Sequence, residues 1–123
     1  MLKALASRYR LCLATAKPHA YARRITAHFG LNRHFFEEFG PELDGTRNDK
    51  AELLAFALET LSLAPSDCVM VGDRQHDFTA ADRVGMPSLA VTWGYGSPEE
   101  YAHAQAVCAT PGELPVRVAA LLD

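Results

Sequence analysis

The sequence feature most informative about architecture is Cys68-Val69-Met70-Val71-Gly72-Asp73-Arg74-Gln75-His76-Asp77. Its first four residues are apolar without alternation, which is typical of a strand buried on both faces of a parallel sheet. Gly72 allows the backbone to turn sharply where that strand ends. Asp73 is therefore predicted at the carboxyl end of a strand, where open parallel sheets bind their ligands. The alternative role of Asp73 is to cap the helix that follows.

Strand and helix patterns alternate along the chain. An apolar run over residues 11–15 precedes a helical pattern between Pro18 and Gly30, and a helical pattern over residues 78–84 precedes a strand pattern over residues 88–92. Such alternation is typical of right-handed βαβ units, so the sequence predicts an α/β fold with a parallel sheet. Two later segments match the capping box of a helix start, Ser97-Pro98-Glu99-Glu100 and Thr110-Pro111-Gly112-Glu113.

Composition limits the size of the protein and the kinds of partner it can have. The 123 residues, 49% hydrophobic and 22% charged, predict one soluble domain. A net charge of −3 gives no basic footprint, so nucleic acid is not expected as a partner. Arg8 and Arg10 interrupt the amino-terminal apolar residues too soon for a signal peptide, and no apolar run is long enough to span a membrane. We therefore expect a cytoplasmic protein without a membrane partner.

Three cysteines, Cys12, Cys68 and Cys108, each lie in an apolar segment. Their odd number and their surroundings predict buried free thiols in a reducing compartment.

Two further polar residues stand where an anion could bind. Thr15 ends the apolar run beside a helix amino terminus, where free amides and the helix dipole favour phosphate; a plain cap or turn threonine is the alternative. Lys50 opens a helix with one apolar face, and a cation there opposes the dipole unless an external anion is present. An ordinary exposed lysine is the alternative for Lys50.

The ordered set of Thr15, Lys50 and residues 72–77 resembles the second, third and fourth motifs of the haloacid dehalogenase-like phosphatase superfamily. The resemblance covers essentially the whole chain. Four segments look especially like the phosphoglycolate phosphatase branch: residues 11–18, 43–54, 69–77 and 91–96. It implies a Rossmann-like core in which a parallel sheet forms the middle of three layers.

The resemblance also implies a role for each motif residue. Thr15 and Ala16 would bind the phosphoryl group of a small phosphorylated substrate, and Lys50 would neutralise its charge. Asp73 would ligate Mg²⁺, and Asp77 would support the metal site directly, through water or through Lys50. Lys50 and Asp73 would thus be the catalytic residues. These residue types suit the chemistry, because Mg²⁺ prefers carboxylate oxygens and a phosphoryl transition state needs positive charge and hydrogen-bond donors.

The chain departs from the family pattern in one respect. Family members carry a first motif, a strand with an aspartate nucleophile and a second aspartate two residues later, and this sequence has no such strand. The segment 44–46, Asp-Gly-Thr, reproduces the tail of that motif, but the nucleophile position would then be Glu42. Pro41 also excludes a central strand there, because proline removes a ladder donor. We therefore interpret residues 1–123 as a single partial core domain, truncated so that the first-motif strand and the cap domain are missing.

The expected parent activity is Mg²⁺-dependent hydrolysis of a phosphomonoester, with phosphoglycolate as the expected substrate and a nucleotide monophosphate, as in a 5'-nucleotidase, as its nearest rival. The chain alone is expected to be inactive, with an incomplete Mg²⁺ site. A different class of function is a non-catalytic phosphate-binding or self-assembling module. Self-association would use the vacant strand position, whose neighbours would expose unpaired backbone groups.

Overall fold

The structure is a computed structural model that describes residues 5–15 and 17–122, with only the backbone of Asn32. Internal contacts divide the chain into two units, Met1–Leu53 and Leu54–Asp123. The strands of the described part are β1 (Cys12–Ala14), β2 (Glu37–Phe39), β3 (Met70–Gly72), β4 (Ser88–Val91) and β5 (Ala106–Cys108). Its α-helices are α1 (His19–His28), α2 (Lys50–Leu61), α3 (Gln75–Val84), α4 (Pro98–Tyr101) and α5 (Leu114–Leu122).

In the first unit, β1 and β2 form a two-stranded parallel sheet in which Leu13 lies opposite Glu38. Beyond the last pair, the Thr15 amide donates to the carbonyl of Phe39 at 3.0 Å. The helix α1 connects the two strands in sequence and starts directly after Pro18, as the sequence predicted. The end of β1 is therefore fixed by backbone hydrogen bonds on the β2 side.

Helix α1 exposes most of its apolar side chains. Its buried residues are Ala22 and Thr26, and the Thr26 hydroxyl donates to the Glu38 carboxylate. Three larger side chains form an exposed apolar stripe: Tyr21 at 50%, Ile25 at 41% and Phe29 at 70% exposure. The apolar spacing predicted the helix correctly, but the spacing alone does not indicate whether that face is covered.

In the second unit, β3, β4 and β5 form a parallel sheet in that order. All four residues of the central strand β4 are buried, as expected for a strand covered on both faces. β3 begins at Met70 rather than Cys68, because the Cys68 amide closes a 3₁₀ turn by donating to the Pro65 carbonyl. Burial on both faces is wrong for Val71, which is 37% exposed.

All three strand pairs are parallel and helices separate the strands in sequence, so the predicted α/β class is confirmed. The prediction of a single domain over residues 1–123 stays a prediction. The longest helix, α2, has 12 residues, and no helix in the described ranges is long and apolar enough to cross a membrane.

The three cysteines do not share one environment. Cys108 is buried and its thiol lies 3.1 Å from the Thr110 carbonyl oxygen, whereas Cys68 is half-buried. Cys12 is exposed, so the expectation of a buried thiol is wrong there. The reason is its position at the start of β1, a strand of a two-stranded sheet in which no β1 residue is fully buried.

Phe78 tests this description of the core. It lies in α3 and is fully buried, so we expect Phe78→Ala to lower the free energy of unfolding by about 3–5 kcal/mol through lost apolar burial and a residual cavity. Val116, in α5, is 72% exposed, and Val116→Ala is the matched control, with an expected effect within about 0.5 kcal/mol. Urea unfolding followed by circular dichroism measures both changes. Equal losses in the two variants would contradict this core.

Candidate functional site

Lys50 is the first residue of α2, and its side chain is half-buried. Its Nζ donates to the carbonyl oxygen of Ala14, the last residue of β1, at 2.7 Å. Asp49, just before the helix, accepts the Glu52 amide at 3.1 Å and so caps the first turn. Lys50 is therefore not fully exposed, and its action on a phosphoryl group stays a prediction. The Lys50 side chain thus reaches the carboxyl end of β1, and Thr15 is the next residue of the chain after that strand.

Thr15 has the local role of a turn threonine. Its Oγ1 accepts the amide of Lys17 at 3.2 Å, and the residue that caps α1 is Pro18. Thr15 therefore stabilises the turn and does not cap α1. A hydroxyl that accepts one hydrogen bond can still donate its own proton, so phosphate binding by Thr15 stays a prediction. Ala16, the other residue expected to bind phosphate, lies outside the described residues.

The expectation of free amides at the start of α1 is wrong for its first residue. The His19 amide donates to the Pro41 carbonyl at 2.7 Å. Gly40 permits this approach, since a Cβ at that position would lie 2.7 Å from the Lys17 carbonyl oxygen. An anion at this turn could use the Thr15 hydroxyl but not the His19 amide.

The segment that imitates the first family motif forms a turn. Asp44 Oδ1 accepts the Thr46 amide at 2.9 Å. A hydrogen bond from the Thr46 hydroxyl, and after it this amide bond, lowers the pKa of Asp44. The Glu42 amide donates to the Thr46 carbonyl at 3.0 Å, and β2 has already ended at Phe39. The prediction that this segment is not a nucleophile strand is therefore confirmed.

Asp73 directly follows β3, as predicted from the sequence. Its Oδ2 accepts the Tyr95 amide at 2.8 Å, and no protein donor within the described ranges makes a hydrogen bond to Oδ1. The residue that caps α3 is Arg74, so the capping alternative for Asp73 is wrong. One carboxylate oxygen is thus held by the protein, and metal binding by the other stays a prediction.

Two glycines bring the loop after β4 onto Asp73. A Cβ at Gly94 would lie 2.3 Å from Asp73 Oδ2, and a Cβ at Gly96 would lie 1.7 Å from the Asp73 carbonyl oxygen. Both distances are shorter than any real contact, so this backbone path requires glycine at both positions.

Asp77 lies in the first turn of α3 and is 6% exposed. Its Oδ2 lies 3.4 Å from the Arg74 amide, and its Oδ1 lies 3.6 Å from His76 Nε2. The carboxylate packs against Gly72, where a Cβ would lie 2.5 Å from Oδ2. Gly72 therefore makes room for Asp77 as well as ending the strand.

The predicted site residues fall into two pairs. In the first unit, Lys50 bonds to the carbonyl of Ala14, the residue before Thr15, at the end of β1. In the second unit, Asp73 and Asp77 flank the start of α3. Within residues 5–15 and 17–122, no group of three or more His, Cys, Asp or Glu side chains could hold a metal ion. That the two pairs act on one phosphoryl group stays a prediction.

Glu100 makes contacts beyond the capping box that the sequence predicted. Its Oε2 accepts the Ser97 amide at 3.1 Å, as the capping box predicts. Its Oε1 also accepts Arg74 Nε at 3.0 Å and the Gln75 amide at 3.1 Å. The local pattern indicates only the cap, because Arg74 and Gln75 are distant in sequence.

These contacts lower the pKa of Glu100, first through the Gln75 amide and then through the Arg74 guanidinium. The folded-state pKa lies below the unfolded one, so the stability that this carboxylate contributes is complete above about pH 4.3. It is lost as the pH falls through the lowered folded-state pKa.

The titration can be observed directly by following the side-chain carboxyl ¹³C resonance of Glu100. We expect its midpoint below the usual value of about 4.3. In Arg74→Gln part of the lowering should remain, because the Gln75 amide is the larger cause. A midpoint at the ordinary value in that variant would contradict this account of the site.

A family model described as HAD-hydrolase-like matches residues 47–114, a range that includes Lys50, Asp73 and Asp77. The chain belongs to the haloacid dehalogenase-like hydrolase superfamily. The resemblance inferred from the three motifs is thereby confirmed.

Curated relatives carry three different names. A 5'-nucleotidase of Pseudomonas aeruginosa is 45% identical over 101 residues, which cover 81% of this chain and 46% of the relative. The tyrosine-protein kinase PtkA of Mycobacterium tuberculosis is 46% identical over 87 residues, or 71% and 30% of the two chains. A phosphoglycolate phosphatase of Xylella fastidiosa is 35% identical over 88 residues, which cover 72% of this chain and 38% of the relative. This relative agrees with the predicted branch. The chain therefore spans less than half the length of these relatives.

A solved structure supports the fold. The crystal structure of a predicted phosphatase from Clostridium acetobutylicum matches with a TM-score of 0.89 and 32% identity, covering 96% of this chain and 58% of that one. The Rossmann-like α/β core expected of the superfamily is thereby confirmed.

Proposed function

We propose that the chain forms the phosphate- and metal-binding part of a Mg²⁺-dependent phosphomonoester phosphatase of the phosphoglycolate phosphatase type. The observation that carries this proposal is the 2.7 Å hydrogen bond from Lys50 Nζ to the Ala14 carbonyl, because it holds a cation beside Thr15. A phosphoryl group in transfer needs positive charge and hydrogen-bond donors around its oxygens. Lys50 would supply the charge, and Thr15 with Ala16 would supply the donors.

Asp73 would hold the Mg²⁺ ion, with Asp77 in support. The carboxylate of Asp73 suits this ion, since one oxygen is fixed by the Tyr95 amide and the other accepts no hydrogen bond from the described part of the chain. Mg²⁺ bound there would help to neutralise the phosphoryl charge. Two carboxylates leave most octahedral positions to water, so we expect the chain alone to bind Mg²⁺ weakly.

The substrate we propose first is phosphoglycolate, and a nucleotide monophosphate is the second candidate. The second is favoured by the 5'-nucleotidase relative, whose 45% identity exceeds the 35% of the phosphoglycolate phosphatase. We further propose that residues 1–123 act in the cytoplasm as a single partial core domain of a longer polypeptide that supplies the nucleophile. A phosphate-binding or self-assembling module without catalysis is the alternative.

The chain alone is expected to hydrolyse no phosphomonoester. Residues that bind a phosphoryl group do not accelerate its hydrolysis unless a nucleophilic oxygen is in line to attack phosphorus. Thr15 and Lys50 do not supply that oxygen. Phosphate release from a generic phosphomonoester in excess Mg²⁺ measures this for the purified chain.

Co-expression with the segment encoded upstream should restore turnover, and comparison of phosphoglycolate with a nucleotide monophosphate would then identify the substrate. Continued inactivity of a soluble, folded assembly would favour the binding module. Metal-dependent turnover by the chain alone, abolished by Asp44→Asn, would overturn the proposal that the nucleophile comes from elsewhere.

In the complete protein, Lys50→Ala should lower kcat/KM about a hundredfold, a loss of about 3 kcal/mol in transition-state stabilisation. The melting temperature should change little by comparison. Arg24→Ala, at an exposed position of α1, is the matched loss of a positive charge and should leave turnover unchanged. Unchanged kinetics in Lys50→Ala would leave that lysine with a structural role only.

A further inference from the structure

Glu100 joins the loop after β4 to the first turn of α3. Its two oxygens accept three hydrogen bonds, one from Ser97 on the loop side and two from Arg74 and Gln75 on the helix side. The Gln75 amide is the first of α3 and has no partner within that helix, so Glu100 satisfies a donor that would otherwise be left open. With both oxygens occupied by protein donors, Glu100 is a connecting group rather than a metal ligand.

The helix-side bonds fix the chain immediately after Asp73. Arg74 and Gln75 are the next two residues, and the strand β3 fixes the chain immediately before. Asp73 is thus held between the sheet ladder on one side and the Glu100 carboxylate on the other.

The loop-side bonds fix the glycine segment against Asp73. Glu100 holds the Ser97 amide, and the neighbouring Tyr101 hydroxyl donates to the Gly96 carbonyl at 2.9 Å. Gly96 packs directly on the Asp73 carbonyl. This path of the backbone carries the Tyr95 amide to Asp73 Oδ2.

We propose that Glu100 is a positioning residue, which holds the loop of residues 94–97 against Asp73 so that Oδ2 is kept by the Tyr95 amide and Oδ1 is presented to the metal. The metal part of this inference rests on the proposed function. The positioning part concerns only the protein and can be measured without it.

The test compares Glu100→Ala and Glu100→Gln with Glu113→Ala in the full chain. Glu113 is a matched control, because it also lies at a helix start, accepts the Thr110 hydroxyl at 3.0 Å and pairs with Arg117 at 3.4 Å. In Glu100→Gln the side chain keeps one acceptor oxygen. It can therefore accept a hydrogen bond from the loop or from the start of α3, but not from both. If Glu100→Ala does not fold, Glu100→Gln alone is compared with Glu113→Ala.

The first readout is amide hydrogen exchange of Tyr95 by NMR. We expect exchange about tenfold faster in Glu100→Ala, an intermediate rate in Glu100→Gln and no change in Glu113→Ala. Equal Tyr95 exchange in Glu100→Ala and Glu113→Ala would overturn the positioning role.

The second readout is paramagnetic broadening of the amide signals of residues 72–75 by Mn²⁺, which detects weak binding. Glu100→Ala should need about tenfold more Mn²⁺ for the same broadening, as for other residues that orient metal ligands, and Glu100→Gln should restore part of the response. Faster Tyr95 exchange with an unchanged Mn²⁺ response would overturn the link between the loop and the metal. No broadening near Asp73 in the unaltered chain would instead refute the proposed metal site, while the exchange data would still decide the positioning role.

Discussion

The backbone of residues 94–96 can follow its path only because positions 94 and 96 carry no side chain. At Gly96 a Cβ would lie 1.7 Å from the Asp73 carbonyl oxygen, far inside any tolerated contact. That approach carries the Tyr95 amide to the Asp73 carboxylate. The same backbone path continues to Glu100, whose carboxylate accepts the first amide of α3. The end of β3, the loop and the helix start therefore depend on one close contact.

Sequence reasoning placed the candidate residues Asp73 and Lys50 correctly in the fold because their signals are local. Asp73 follows an apolar run and a glycine, and Lys50 opens an amphipathic helix. Their partners carry no such signal, since the Tyr95 amide and Asp73 are 22 residues apart and Lys50 and the Ala14 carbonyl are 36 apart. Tertiary packing creates these pairs, so no period or capping pattern could have indicated them.

The fold class was predictable for the same local reason, whereas burial was not. The apolar run 68–71 and the segment 88–91, in which three apolar residues follow Ser88, are both typical of strands. Only the second is buried throughout, as the central strand β4. The first two residues of segment 68–71 lie before β3, after a 3₁₀ turn, and Val71 remains partly exposed. The position of a strand in its sheet decides its burial, and a single segment does not encode that position.

Helix α1 combines an exposed apolar stripe with a small buried contact, and this makes its local opening less costly than that of α3. Its buried side chains are Ala22 and Thr26, whereas α3 contributes the fully buried Phe78. Local opening of a helix costs less when fewer apolar contacts are lost. Arg23 and Arg24 are exposed on this helix, so tryptic cleavage at these residues would report its local opening.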